Sequence, residues 1–265
     1  MLLPVLGVTA AFCLVMAAAW AFQRARRNGG WTDVWWSYAT GGAGVALALW
    51  PVSAEWPDAR RWLAAALVAA WSLRLGTHLL RRVAASPAED PRYARFREEW
   101  GQDLDRRMFG FLQVQALSGA LLAVAVMVAA HRPGPLGWQD AAGVALMLLA
   151  IGGEGLADAQ LARFRANPAN HGKVCDVGLW GWSRHPNYFF EWLVWMAWPV
   201  IAIGAAWPWG WLALVGPAFM ALLLIRGSGV PPLEAAMIRS RGDAYRAYQR
   251  RVSVFVPLPP RKDAA

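Results

Sequence analysis

Runs of apolar residues, each near the length that crosses a bilayer, alternate along this chain with short polar connections. The runs are Leu2 to Phe22, Trp31 to Val52, Trp62 to Leu80, Phe109 to Ala130, Trp138 to about Leu161, Tyr188 to Ile203 and Trp207 to Ile225. At helical rise, about 20 such residues cover a hydrocarbon core of about 30 Å. The pattern predicts an all-α, polytopic membrane helix bundle of about seven transmembrane helices. Met-Leu-Leu-Pro-Val at the N-terminus is apolar at once and lacks the basic flank of a secretory signal, so the first run is expected to stay as a span. Gly41, Gly42 and Gly44 lie inside the second run, where close helix packing is the expected use.

The polar connections add orientation. Arg24, Arg26 and Arg27 follow the first run, Arg81 to Arg107 follows the third, and Arg163 to Lys173 follows the fifth. The intervening connections are short and poor in net charge, including Glu55, Asp58, Arg60 and Arg61. Basic loops face the cytoplasm, which predicts the N-terminus outside and the C-terminus cytoplasmic, in a bacterial inner membrane. The stretch from Arg81 to Arg107 is the longest polar segment and is expected to hold a short amphipathic helix near Arg95 to Trp100. It divides an N-terminal three-helix part, residues 1–80, from a C-terminal part, 81–265, whose basic tail beyond Arg226 is expected to be mostly helical.

Composition agrees with the pattern. The chain of 265 residues is 57% hydrophobic and 16% charged and carries 18 Trp, which excludes an ordinary soluble domain. Its net charge of +9 is concentrated in alternate loops, so it is assigned to topology and not to nucleic acid. Cys13 and Cys175 define no disulfide framework, and four scattered His give no metal-ligand spacing.

Candidate chemistry gathers where Gly178-Leu-Trp-Gly-Trp-Ser-Arg-His-Pro-Asn-Tyr-Phe-Phe-Glu191 turns from a basic loop into an apolar run. Pro186 suits a first helical turn, so a helix should open there with its free N–H groups and positive dipole end facing Arg184 and His185. Glu191 lies one turn further in, among apolar residues, where an unpaired carboxylate is costly. It is expected to be paired or hydrogen-bonded. Two further segments fall on the same predicted side: Glu154, Asp158, Arg163, Arg165, Asn167, Lys173 and Asp176 before this stretch, and Glu234, Arg241, Tyr245 and Tyr248 after it. The plain alternatives are a cationic flank for Arg184 and His185 and a snorkelling amphipathic helix for the tail.

Trp-Ser-Arg-His-Pro-Asn-Tyr-Phe-x-Glu resembles the C-terminal signature of the steroid 5-alpha-reductase-like membrane proteins. That group is similar in turn to sterol C14-reductases and, more remotely, to isoprenylcysteine carboxyl methyltransferases. The similarity runs from about Glu89 to Pro257. It implies an NADPH-dependent reductase of a carbon–carbon double bond in a lipophilic, steroid-like or unsaturated-lipid substrate. It also implies that Trp180, Arg184, His185, Asn187, Tyr188, Glu191, Glu234 and Tyr248 help hold NADPH. Independently, Arg163, Arg165 and Lys173 supply the donors that an adenosine ribose phosphate requires, without a Rossmann fingerprint and its ribose-binding acid.

The family's early Gln-Glu pair, followed closely by Pro, is only partly present in Ala54-Glu55-Trp56-Pro57, and Trp71 stands where the family places a Tyr. Glu55 is therefore the first candidate proton donor, with Asp33, Tyr38, His78 and Tyr93 behind it. Each also has a plain reading as loop charge, helix cap or interfacial side chain. The alternatives are an S-adenosylmethionine-dependent methyltransferase and a non-catalytic lipid-binding membrane protein. Asn187 and Glu191 favour the reductase.

Overall fold

Pro4 sits in the first turn of helix α1 (Leu2–Arg26), where its missing N–H removes no intrahelical bond. Nothing breaks the run until Arg27, whose left-handed backbone (φ 52°) turns its amide back onto the carbonyl of Arg24. The computed structural model describes residues 1–51, 59–85 and 89–261. These residues form α2 (Trp31–Leu49), α3 (Ala59–Ala85), α4 (Pro91–Trp100), α5 (Leu104–Ala130), α6 (Trp138–Ala166), α7 (Pro186–Ala202), α8 (Val215–Arg226), α9 (Val230–Arg241) and α10 (Asp243–Arg251). Short 3₁₀ turns link them. The only pairing outside helices among the described residues is two isolated bridges. The fold is an all-α polytopic bundle.

Each of the seven expected spans is largely helical, but among the described residues five helical stretches are long and apolar enough to cross a membrane: Leu2–Arg26, Ala59–Ala85, Pro91–Ala130, Trp138–Ala166 and Pro208–Arg241. The other two runs fall on α7 and α2. Helix α7 has 17 residues, with Pro199 inside it, and spans about 26 Å at helical rise. Helix α2 has 19 residues but carries Thr32, Asp33, Ser37 and Thr40 on or near its packed faces. The seventh run also starts as a 3₁₀ segment, Pro208–Leu214, before α8.

The described residues gather into two compact units. The first comprises Met1–Gly143 and Trp198–Gly216. Its core joins Phe12, Met16 and Ala19 of α1, Ala43 and Leu47 of α2, Tyr93 of α4, and Met108, Leu112, Ala116, Ala120, Ala123 and Met127 of α5. Helix α5 is the hub, packing against α1, α2, α3, α4 and the 3₁₀ segment Pro208–Leu214. Helices α2 and α3 come close where α2 has no side chain. A Cβ at Gly41 would lie 2.2 Å from Ser72 Cβ, and one at Gly44 would lie 2.8 Å from Val68. Gly42 faces open space, so two of the three expected packing glycines serve that purpose. Helix α4 begins where Asp90 accepts a hydrogen bond from Arg92 N and Pro91 takes the first helical position.

The second unit comprises Val144–Ala197 and Pro217–Ala265. In it α6 meets α7 at Gly153, where an added Cβ would fall 2.3 Å from the Phe190 ring. Trp192 Nε1 donates to Pro217 O at 3.1 Å. Helices α9 and α10 meet at Gly242, whose positive φ (54°) turns the chain between them. Tyr245, Tyr248 and Val252 form a small core there with Val174, Met237 and Ile238.

Candidate functional site

The second unit organises the stretch from Gly178 to Glu191 as a 3₁₀ turn (Gly178–Gly181), a short loop, and α7 opening at Pro186 as expected. The turn is fixed from both sides. Trp180 is buried and donates through Nε1 to Ala157 O at 2.9 Å, while Gln160 Oε1 accepts from Leu179 N at 2.9 Å. Tyr248 of α10 donates to Trp180 O at 2.6 Å. Burial, with Tyr245 and Cys175 beside it, pushes the Tyr248 hydroxyl well above the ordinary phenol range, so it stays a neutral donor.

The loop is then clamped by the segment that follows α10. Arg184 N donates to Ser253 O at 2.8 Å, Ser183 Oγ to Phe255 O at 2.8 Å, and Leu258 N to Trp182 O at 3.0 Å. Phe255 packs edge-on against Phe189 and Trp192 of α7. Arg184 reaches further. Its Nε donates to Glu234 Oε1 at 2.6 Å and its Nη1 to Gln249 O and Val252 O, with only 11% of the side chain exposed. Glu234 is thus a hub: the same oxygen lies 3.2 Å from His185 Nε2, and Oε2 accepts from Gln249 Nε2 at 2.7 Å. His185 stacks on Tyr188 at 5.6 Å between centroids. Tyr245 lies next to this ion pair, and burial followed by the charge of Glu234 raises its hydroxyl above the usual range.

Further along α7, Asn187 Nδ2 donates to Asp158 Oδ1 of α6 at 3.3 Å. Its Oδ1 accepts from the Tyr188 amide at 3.1 Å, and Ser183 Oγ accepts from the His185 amide. Part of the donor set at the opening of α7 is therefore taken up locally. Glu191 is buried and accepts from Trp195 Nε1, one turn on, at 2.9 Å, which meets the expectation of a hydrogen-bonded carboxylate.

The basic loop lies on the surface of this unit. Arg163, Arg165, Asn167 and Lys173 are exposed. Arg163 and Asn167 line a groove of about 360 Å³ with Gln160, Phe164, Asn170 and Val177. Asp176 pairs loosely with Arg251 at 3.4 Å, and Arg241 donates to Ser240 O.

Candidate proton donors fall in the first unit. Asp33 and Tyr93 come together: Tyr93 OH donates to Asp33 Oδ1 and accepts from Thr32 Oγ1, both at 2.7 Å, and Arg92 Nη2 reaches Asp33 Oδ2. The Tyr93 ring is buried against Gly29. Tyr38 OH pairs with Thr77 Oγ1 at 3.1 Å, apart from that group, and His78 is half-buried on α3. Glu55 lies outside the described residues.

Ser183, Gln160, Gln249 and the Ser253 to Leu258 segment were not singled out by sequence. Ser183 lies inside the signature, Gln249 adjoins Tyr248 and Gln160 lies on α6 beside Asp158; the segment after α10 takes its loop hydrogen bonds through backbone groups, which leave no mark on residue type. Arg60, expected in a charge-balanced connection, is instead 3% exposed in the first turn of α3 and paired with Asp140.

Long apolar helices, closed by a helical tail that grips a polar loop, make this a multi-pass membrane protein of the all-α class. The family model described as "Protein of unknown function (DUF1295)" matches residues 19–252, and the chain belongs to that family. No curated protein and no solved structure matches it.

Proposed function

We propose that the protein is an NADPH-dependent membrane reductase of a carbon–carbon double bond in a lipophilic substrate, of the steroid 5-alpha-reductase-like kind that its signature resembles. One observation carries this: within one unit, Arg184 and His185 of the signature meet Glu234 of α9, Trp180 meets Tyr248 of α10, and Asn187 meets Asp158 of α6. Residues assigned to one cofactor from three separate stretches thus form one connected set. In this arrangement Glu234 and Tyr248 hold the loop from beneath. The exposed Arg163, Arg165 and Lys173, with the half-buried Asn187 and Tyr188, are the groups we assign to ligand contact. NADPH supplies hydride when bound. The chain supplies cationic donors for its phosphates, an aromatic face at Tyr188 and amide groups at Asn167 and Asn187.

The test is titration of the purified, bilayer-reconstituted protein with NADPH, NADH and S-adenosylmethionine at fixed ionic strength. NADPH should bind most tightly. Saturable binding of S-adenosylmethionine alone would replace the reductase with the methyltransferase, and binding of none would leave the non-catalytic alternative.

A further inference from the structure

One end of the first unit is built unlike a water-facing set of loops. Arg61 reaches Ala48 O and Leu49 O, His131 Nε2 lies 2.9 Å from Trp50 O, Trp207 Nε1 donates to Val128 O, and Gln139 Nε2 to Val200 O and Ile203 O. These bonds gather the C-terminal ends of α2, α5 and α7, the starts of α3 and α6, and the 3₁₀ segment at Pro208–Leu214. At its centre Arg60 places all five of its N–H groups: two on Asp140, and the others on the carbonyls of Arg132, Gly134 and Pro135. Arg132 also donates to Asp140, whose side chain is 3% exposed. Arg60 and Asp140 are thus turned inward, with every N–H of the guanidinium satisfied.

What faces outward is apolar. Among the described residues here, the exposed ones are Trp, Leu, Ala, Pro and Gly, without a charged side chain. Five are tryptophans: Trp50 (43% exposed), Trp62 (63%), Trp138 (78%), Trp209 (58%) and Trp211 (61%). At the other end of the unit the relation is reversed. Trp20, Trp35, Trp36 and Trp100 pack on the core, while Arg24, Arg26, Arg27, Arg81, Arg82, Arg95, Arg106 and Arg107 are exposed. Loop ends bathed in water expose polar groups, whereas indole rings with an N–H at one edge favour the layer of glycerol carbonyls and headgroups.

We propose that this tryptophan-rimmed end is an interaction surface for phospholipid, seated within the interfacial layer of the bilayer and not projecting into water. The inward Arg60–Asp140–Arg132 knot is what permits the seat, because it ties the loops together without leaving a charged side chain exposed among the described residues of the rim. The occupant is lipid and not a second copy of the chain, because the rim continues the exposed apolar flanks of the spans, such as Leu73, Val114 and Leu117. The proposal is independent of the cofactor.

The test uses the full chain in phosphatidylcholine/phosphatidylglycerol vesicles. Nitroxide is attached at Trp62→Cys, Trp138→Cys or Trp211→Cys, and for comparison at Arg106→Cys, in a Cys13→Ser, Cys175→Ser background. Collision with a water-soluble nickel complex should be about tenfold lower at the tryptophan sites than at residue 106, with collision by membrane-soluble oxygen high. Equal nickel access at both ends would overturn the proposal. So would shielding from both reagents, which would mean protein covers the rim. The unmodified protein gives a second reading: hydroxyl-radical footprinting in vesicles should leave Trp62, Trp138 and Trp211 largely unoxidised, and oxidation at the rate of a free indole would also overturn it.

Discussion

Glu234 shows how much a single side chain decides here. Its two oxygens take Arg184, His185 and Gln249, and Arg184 sits with only 11% of its side chain exposed. Glu234→Gln would leave that largely buried guanidinium without its counter-charge, at a cost of about 3 kcal/mol. A thermal or denaturant melt should show that loss, and an unchanged midpoint would mean that the pair contributes nothing. Arg163 works differently, as an exposed cation on a groove whose role is tested by ligand and not by stability. Arg163→Ala should leave the melt unchanged while lowering NADPH affinity about tenfold and NADH affinity little, because a charge-assisted phosphate contact contributes about 1.5 to 3 kcal/mol. Equal loss for both cofactors in a titration would remove Arg163 from the phosphate site. Among the sequence candidates, the resemblance of the signature and tail pointed to Arg184, Asn187 and Tyr248. It could not say which face a ligand and which face the chain itself. That is why Ser183 and Gln249, uncharged and unremarkable in sequence, escaped notice.

Among elements, the segment after α10 and the start of α4 carry distinct tests. Residues Ser253 to Leu258 hold the signature loop through backbone carbonyls and amides, and Phe255 anchors them between Phe189 and Trp192 at 6% exposure. Phe255→Ala should cost about 3 kcal/mol by removing a buried ring, and should weaken cofactor binding along with the loop. A melt and an NADPH titration on the same sample read both. Asp90, which caps α4, is pushed up by burial but pulled further down by Arg92, so its carboxyl titrates below the ordinary range. Its folded value is depressed, so its stabilisation is fully present above the ordinary carboxylate pKa near 4 and is lost as pH falls through the lowered value. Asp90→Ala should cost about 1 kcal/mol at neutral pH and less in acid, when melts are compared across that window. Helix positions were legible in the apolar runs, as was the short amphipathic helix now seen as α4. The 3₁₀ start of the seventh run, Pro208–Leu214, was not, because hydropathy averages over a run and does not register the local hydrogen-bond pattern.

On the scale of the whole molecule the outstanding question is orientation. Arg-rich loops lie after α1, after α3 and after α6, so reporters fused after Arg27, Arg107, Lys173 or the tail should read cytoplasmic, and those near Pro57 or Pro133 should not. A tail on the far side would refute that orientation. The sequence by itself determined that this is an all-α membrane bundle, roughly where its helices run, and that one polar loop opens into α7 at Pro186. Those properties depend on local composition, on helical rise against bilayer thickness, and on the fixed φ of proline. Only the tertiary structure decided which charges are hidden and which are displayed. Arg60 meets Asp140 across 80 residues, Tyr93 meets Asp33 across 60, and Arg184 meets Glu234 across 50. Whether a charge can be buried depends on which partner the packing register sets opposite it, and that register arises from contacts such as Gly41 on Ser72 that no single stretch of chain contains.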